Sequence, residues 1–315
     1  MEKLSFKSKR ARSIFAITVW TLILTWCVLF LYVLAWGLMT SGKSDMQFTY
    51  NKLGFPKPIT NKWGVVRDPG KFQFLENYAF VFESMTAPDS HGARVSFFPM
   101  LLNTLYYTLA YGLVAVVSPM LCSYIYAKYS KRVRWTKLVW VIMLVNMYVP
   151  LSASLAASIN LAMQLGTYNN IFTFIWTYCG GFGGCFLIYY AIWKGLSWDY
   201  AEAAIIDGAN HFTILFRIMF PMTLTVFWVL YITQIIALWS DYQTPMVYLR
   251  DYPTLAYGVF VFNSTVNAAG ANGLDPTSVT IKLAALFIVA TPMFTLFMIF
   301  KDKMMGSLTM GGLKG

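Results

Sequence analysis

The stretch YAEAAIIDGANHFTILFRIMFP, residues 200–221, lies between strongly apolar segments. It is neither greasy enough to span a bilayer nor irregular enough to be a plain loop. Asp199, with Glu202 three residues on, is placed to cap a helix in a variant of the capping box. Ala203, Ala204, Gly208 and Ala209 give that helix small side chains that let another protein surface approach closely. Gly208 is suited to end its first turns, Asn210 to cap a second short helix from His211, and Pro221 to mark the junction with the next apolar run. The expectation is a bent helix pair with a docking face, set between membrane spans.

Composition agrees with a membrane setting. The 315 residues are 58% hydrophobic and 12% charged, against roughly 45–50% and 25% in soluble domains. A soluble globule of this size needs far more polar surface. The formal charge of +11 does not point to nucleic acid, because the basic residues sit in short blocks beside apolar runs, the pattern by which membrane proteins orient. Cys27, Cys122, Cys179 and Cys185 lie in or near those runs without metal-ligand spacing to a histidine, and read as small apolar packers. No metal site is expected.

In chain order, residues 1–13 are basic and read as a cytoplasmic N-terminus. The apolar run that follows, 14–39, is too long for a signal-peptide core and long enough to cross a bilayer. Residues 40–97 are polar, punctuated by Gly and Pro, and form an extracytoplasmic segment in which 72–85 is a candidate surface helix. Its basic residues are offset in sequence by Asp45, Asp68, Glu76, Glu83 and Asp89. The transmembrane core, 98–305, reads as spans at about 100–126, 138–159, 171–193, 222–239 and 281–300, six with the first. It contains the loop 197–221 on the cytoplasmic side and the loop 242–279 outside; the basic block after residue 127 and Lys301 and Lys303 fix the orientation, and 306–315 is a cytoplasmic tail. The fold class is an all-α polytopic membrane protein of six transmembrane helices.

Within the spans, Gly180 and Gly184 have GxxxG spacing, which either packs the fourth span closely against a partner or loosens it for bending. Polar residues at membrane depth mark a pathway or bond between helices. Asn103, Asn146 and Gln234 are the clearest, with the run Trp239-Ser240-Asp241-Tyr242 near the end of the fifth span. Asn146, Gln234, Trp239, Asp241 and Tyr242 are the substrate-path candidates, since amides, carboxylates and aromatic faces are groups that can hold a polar solute. Residues 263–273 are short and rich in Asn, Ala and Gly, suited to a protruding tip that carries Asn263, Asn267 and Asn272.

These residues resemble a known family. Glu202-Ala203-Ala204, then Gly208 after three residues, then Ile218 and Pro221, fit E-A-A-x3-G-x9-I-x-L-P, the signature loop of binding-protein-dependent ABC importer permeases, with Phe220 in the Leu place. Asp207 and Ala209 complete a DGA form similar to that of the carbohydrate importers. The Trp239–Tyr242 run resembles a Trp-Asn-Asp-Phe run of sugar permeases. The ending GSLTMGGLKG, 306–315, resembles the tail of a maltose-transporter-type permease, with Met310 and Leu313 departing conservatively. The resemblance covers the chain from the second span onward.

It implies that Glu202, Ala203, Ala204, Asp207, Gly208, Ala209, Ile218 and Pro221 form a coupling helix pair docking on an ATPase. It further implies that Thr309, Gly311, Gly312 and Lys314 reach between two ATPase subunits, and that the external loop meets a solute-binding protein. A second, non-identical permease completes the path. The chain itself needs no cofactor; ATP and Mg²⁺ belong on the ATPases.

No G-x-x-x-x-G-K-[ST] loop, H-E-x-x-H or nucleophile elbow occurs, and the two histidines are His91 and His211. Enzyme chemistry therefore has no visible home. The expectation is a transport subunit of a bacterial plasma-membrane importer, carrying a carbohydrate, with both termini cytoplasmic. An ABC permease for a non-sugar solute and a secondary transporter are the alternatives.

Overall fold

The computed structural model describes residues 9–61, 63–130, 135, 138, 140–142, 144–145, 155–180, 183–264 and 278–310, with 9–12 and 302–310 as helical backbone. The chain falls into two compact units, Met1–Ser84 with Asn263–Ile288 and Met85–Phe262 with Val289–Gly315.

The first unit begins with α1, Lys9–Ser41. The most apolar 18-residue window within Ser13–Ser41 has mean hydropathy 2.4 and buries nothing within the chain. A helix apolar all round and exposed all round belongs in lipid. Thr18, Thr21 and Thr25 fit that setting, since each hydroxyl donates to the carbonyl four residues back, at 2.9, 2.8 and 2.8 Å.

After α1 comes a polar knot. Short α2, Asp45–Tyr50, is capped by Ser44, whose Oγ accepts from Gln47 N. The hairpin of β1, Ile59–Thr60, and β2, Val66–Asp68, follows, then α3, Phe74–Ser84. Asp68 ties these pieces together: it accepts from Ser44 Oγ, from Gln47 Nε2 at 2.7 Å and from Gly70 N at 2.7 Å. Asn77 of α3 donates to Ser41 O and Lys43 O at 2.8 and 2.9 Å, closing the end of α1. Residues 40–84 are thus a folded cap rather than a loose connector.

In the second unit a small hairpin, β3 Ala87–Pro88 with β4 Arg94–Val95, precedes α4, Phe97–Tyr106. A π-helical turn, Tyr107–Tyr111, joins α4 to α5, Gly112–Tyr129. Then come α6, Leu155–Gln164, a 3-10 turn at Phe174–Tyr178, and α7, Gly184–Gly195. The 200–221 stretch holds α8, Asp199–Ile206, and α9, His211–Thr213; a second π turn, Ile214–Met219, leads into α10, Phe220–Trp239. Short α11, Gln243–Tyr248, and α12, Leu255–Ser264, follow, and α13, Val279–Met310, runs on from the first unit. One core packs α5, α7 and α10 around Tyr124, Tyr189, Trp193 and Phe227. A second gathers Tyr107, Tyr111, Phe174 and Leu249.

Among the described residues four helices are long and apolar enough to cross a membrane: Ser13–Ser41, Phe97–Tyr129, His211–Trp239 and Val279–Lys301. The expected third span, 138–159, lies largely outside the described residues. The expected fourth, 171–193, is not one helix: the 3-10 turn ends at Tyr178 and α7 starts only at Gly184. Gly183 explains the break, for its φ of 151° and ψ of −166° suit glycine almost alone. Among the described residues, a Cβ added at Gly180, Gly183 or Gly184 would meet nothing within 4 Å.

Candidate functional site

Residues 197–221 fold as a short helix, a turn and the start of a longer helical run, set by local chemistry. The first ends in a Schellman motif: Gly208, at φ +80°, donates to Ile205 O at 3.0 Å while Ala209 N donates to Ala204 O at 2.9 Å. Asn210 then caps α9, its Oδ1 accepting from Thr213 N at 2.8 Å. From His211 the chain runs without interruption to Trp239. Pro221 sits in the first turn of α10, where the π turn passes into regular helix without a break in the run. The preceding π turn, in which Phe220 N–H reaches back to Leu215 O, accommodates a residue with no N–H to offer.

The start of α8 differs from expectation. Trp198 is the N-cap; its carbonyl accepts from Ala201 N at 2.8 Å and Glu202 N at 3.0 Å, and Asp199 already lies inside the helix without capping it. The Trp198 ring explains the shift, being held edge-on to Tyr129 at 5.8 Å with the Lys128 ammonium 5.7 Å from its centroid. Asp199 and Glu202 still sit in the first turn, where carboxylates favour the helix dipole.

The end of α5 clamps the whole element. Lys128 Nζ donates to Leu196 O at 2.6 Å, and Tyr129 Oη lies 3.0 Å from His211 Nδ1. Ala201 and Ala204 are buried against the α5–α7–α10 core, with Ala209 and Ile218 packed on its margin. Ala204 and Ala209 thus contribute to internal packing. The outward face carries Glu202, Ala203, Asp207 and Gly208, together with Ile206 and Phe212, 86% and 74% exposed. Those two residues escape sequence reasoning, since no local pattern shows which apolar side chains of a short helix face outward.

The path candidates are dispersed. Gln234 Nε2 lies 3.7 Å from Cys185 Sγ. Trp239 is buried and donates to Val289 O at 2.9 Å. Asp241 accepts from Tyr107 Oη at 2.9 Å and from Gln243 N and Thr244 N at 3.0 and 3.1 Å, so its carboxylate starts α11. Tyr242 stacks on Phe260, centroids 4.5 Å apart. Asn103 donates to Pro253 O at 3.1 Å, a bond between segments. Beside Tyr178, whose hydroxyl lies 2.8 Å from that of Tyr107, a cavity of about 380 Å³ opens, lined by Leu161, Phe174, Thr177 and Tyr248 among others.

Asn146, Asn267, Asn272, Gly311, Gly312 and Lys314 lie outside the described residues, and Thr309 is described only as backbone of α13. Asn263 does not belong to a loop tip: it is in the last turn of α12, because the apolar run 255–262 extends the helix through it.

The fold has a solved counterpart. A chain from the crystal structure of a bacterial ABC transporter involved in the import of the acidic polysaccharide alginate matches with a TM-score of 0.70 at 19% identity, over 94% of this chain and 98% of that one. This chain has the fold of an ABC importer permease. No family model matches it. Its relatives are permeases as well. The diacetylchitobiose uptake system permease protein NgcG of Streptomyces coelicolor is 22% identical over 299 residues, 94% of this chain and 88% of that protein. The arabinooligosaccharides transport system permease protein AraQ of Bacillus subtilis is 26% identical, over 79% of this chain and 81% of its own length. The maltodextrin transport system permease protein MalD of Streptococcus pneumoniae is 27% identical over 68% of the chain. In permease terms, the clamped 197–221 element lies between the helices Phe97–Tyr129 and His211–Trp239 and joins both.

Proposed function

We propose that this chain is a membrane subunit of an ATP-driven carbohydrate importer, forming with a second, non-identical permease the path for an oligosaccharide brought by a solute-binding protein. The observation that carries the reading is alignment along 94% of the chain with a sugar-uptake permease, joined to an importer fold. Both termini and the 197–221 element face the cytoplasm.

Two ATPase subunits, which hold the ATP and Mg²⁺, dock on Glu202, Ala203, Asp207 and Gly208, with Ile206 and Phe212 entering their surface. The Schellman turn and the clamp from Lys128 and Tyr129 make the element stiff enough to act as a lever. Displacement of α8 then moves α5 and α10, and the difference in binding free energy between two states drives the solute across. Thr309, Gly311, Gly312 and Lys314 extend toward the ATPases, and the 263–273 segment with Asn267 and Asn272 meets the binding protein. Along the path, Gln234 and Tyr242 keep partly exposed side chains, whereas Trp239 and Asp241 frame it through bonds within the chain.

Co-purification from detergent tests this directly. An ATPase, a second permease and a binding protein should accompany the chain, and ligand screening of that binding protein should return an oligosaccharide. A binding protein selective for an amino acid or metal ion would contradict the substrate class.

A further inference from the structure

We propose that the β1–β2 hairpin and the loop before it form a lipid-binding foot that rests on anionic phospholipid headgroups, in the leaflet at the C-terminal end of α1. The inference requires only that α1 cross a bilayer and stands apart from the import reading.

The depth of this region follows from α1 itself. Its side chains are exposed from residue 13 to 35 and begin to pack at Trp36 and Gly37, so the lipid-facing zone ends there. Trp36 Nε1 donates to Lys52 O at 2.9 Å, and Lys43 Nζ donates to Asn51 O and Lys52 O at 3.0 and 3.3 Å. The 50–57 loop is therefore folded back to the level of Trp36, about 7 Å short of the helix end at 1.5 Å per residue. That is the headgroup level, where indole rings concentrate.

The loop and the hairpin that follows it expose apolar and aromatic side chains among basic ones. Tyr50, Leu53, Phe55 and Val65 are 70, 67, 69 and 60% exposed, and Trp63 is 87% exposed. Trp63 is not at the end of a loose loop. Asn61 Oδ1 accepts from Trp63 N at 3.0 Å and Val65 N at 2.9 Å, Asn61 N donates to Val65 O at 3.0 Å, and Gly64 takes φ +75°. These bonds set the backbone at Asn61, Gly64 and Val65 beside an indole that faces out.

Around it Lys52, Lys57, Arg67 and Lys71 are exposed. The one acid between residues 50 and 71, Asp68, is buried and bonded to Ser44, Gln47 and Gly70, so it offsets none of them on the surface. Exposed aromatics flanked by unopposed cations at headgroup depth match an anionic lipid surface in both solvation and charge.

Spin labelling of the full chain, with its four cysteines replaced, tests this. A label at Val65→Cys is compared in phosphatidylcholine vesicles with and without phosphatidylglycerol, against an aqueous reference at His91→Cys. The foot predicts that the 65 label is shielded from a water-soluble nickel chelate and open to oxygen, more so with the anionic lipid. The shielding should be lost in a Lys57→Gln, Arg67→Gln, Trp63→Ser background, while the circular-dichroism melt stays unchanged. A label as open to the chelate as the reference in both lipids overturns the proposal. So does shielding that appears only when a solute-binding protein is added, since the surface would then be a protein-docking site.

Discussion

Tyr129 and His211 meet across the base of the bundle, hydroxyl to Nδ1 at 3.0 Å, and so fasten the last turn of α5 to the first turn of the helix that becomes α10. With Lys128 on the Leu196 carbonyl, this contact leaves the 197–221 element little freedom apart from the helices it joins. Replacing Tyr129 with Phe should leave the chain folded, at a cost of about 1 kcal/mol. It should also lower transport-coupled ATPase activity in the reconstituted assembly. Full coupling in Tyr129→Phe would show that the clamp plays no part in transmission.

Gly208 has space around it, since a Cβ there meets nothing within 4 Å, but its φ is +80°. The penalty for Gly208→Ala is therefore conformational, about 1–2 kcal/mol, and Gly208→Asn should cost less because Asn tolerates this region. Proteolysis of the loop in the purified chain should rank the variants Gly, Asn, Ala in order of rising susceptibility. A substitution as bulky and charged as Gly208→Asp should in addition abolish coupled import while membrane insertion persists.

Two neighbouring alanines should behave oppositely. Ala204 is 8% exposed and packs inward, so Ala204→Leu overfills the core and should destabilise by about 1–3 kcal/mol. Ala203 faces out, so Ala203→Leu should leave thermal stability within about 0.5 kcal/mol and weaken binding of the ATPase subunit. Unfolding curves and pull-down on the same pair of variants separate the two effects.

Much of this element is legible in the sequence because its chemistry is local. Gly208 at a left-handed position and Asn210 accepting from Thr213 N are turn signals that need no tertiary partner. The helix start is not legible, because the contacts of the Trp198 ring with Tyr129 and Lys128 decide it. The roll that buries Ala204 and exposes Ile206 is equally tertiary. In 171–193 apolar composition suggests a span, while the backbone of Gly183 breaks it. The 40–84 cap is hidden for another reason: its order comes from polar bonds such as Gln47 to Asp68, which carry no periodicity.

Two carboxylates outside the spans predict a response to acid. Burial alone would raise Asp68, but bonds from Ser44, Gln47 and Gly70 outweigh it and hold the carboxyl below its usual range. Asp251 is likewise lowered, first by the bond from Ser90, against burial, with help from the Ser90 backbone, Asn169 and His91. A depressed folded-state value stabilises above the unfolded pKa, and that stability is lost as pH falls through the folded value. Protection factors at 44–70, taken relative to the intrinsic exchange rate at each pH, should thus be flat through neutral pH and fall only below the ordinary carboxylate range. Asp68→Asn should exchange faster at neutral pH and lose the acid transition.

Asp241 accepts a hydrogen bond from Tyr107 and begins α11, so Tyr107→Phe should destabilise by about 1.5–3 kcal/mol, the range for bonds to a charged acceptor. Tyr242→Ala loses the stack on Phe260, so it should destabilise by about 0.5–1.5 kcal/mol and also reduce solute uptake.

The central claim is that the 197–221 element receives work from a separate ATPase, and solute flux in proteoliposomes tests it most directly. With the partner permease, ATPases and binding protein present, oligosaccharide uptake should require hydrolysable ATP and should stop when Gly208 is changed to Asp. Uptake by this chain alone, driven by a gradient and indifferent to ATP, would contradict the account.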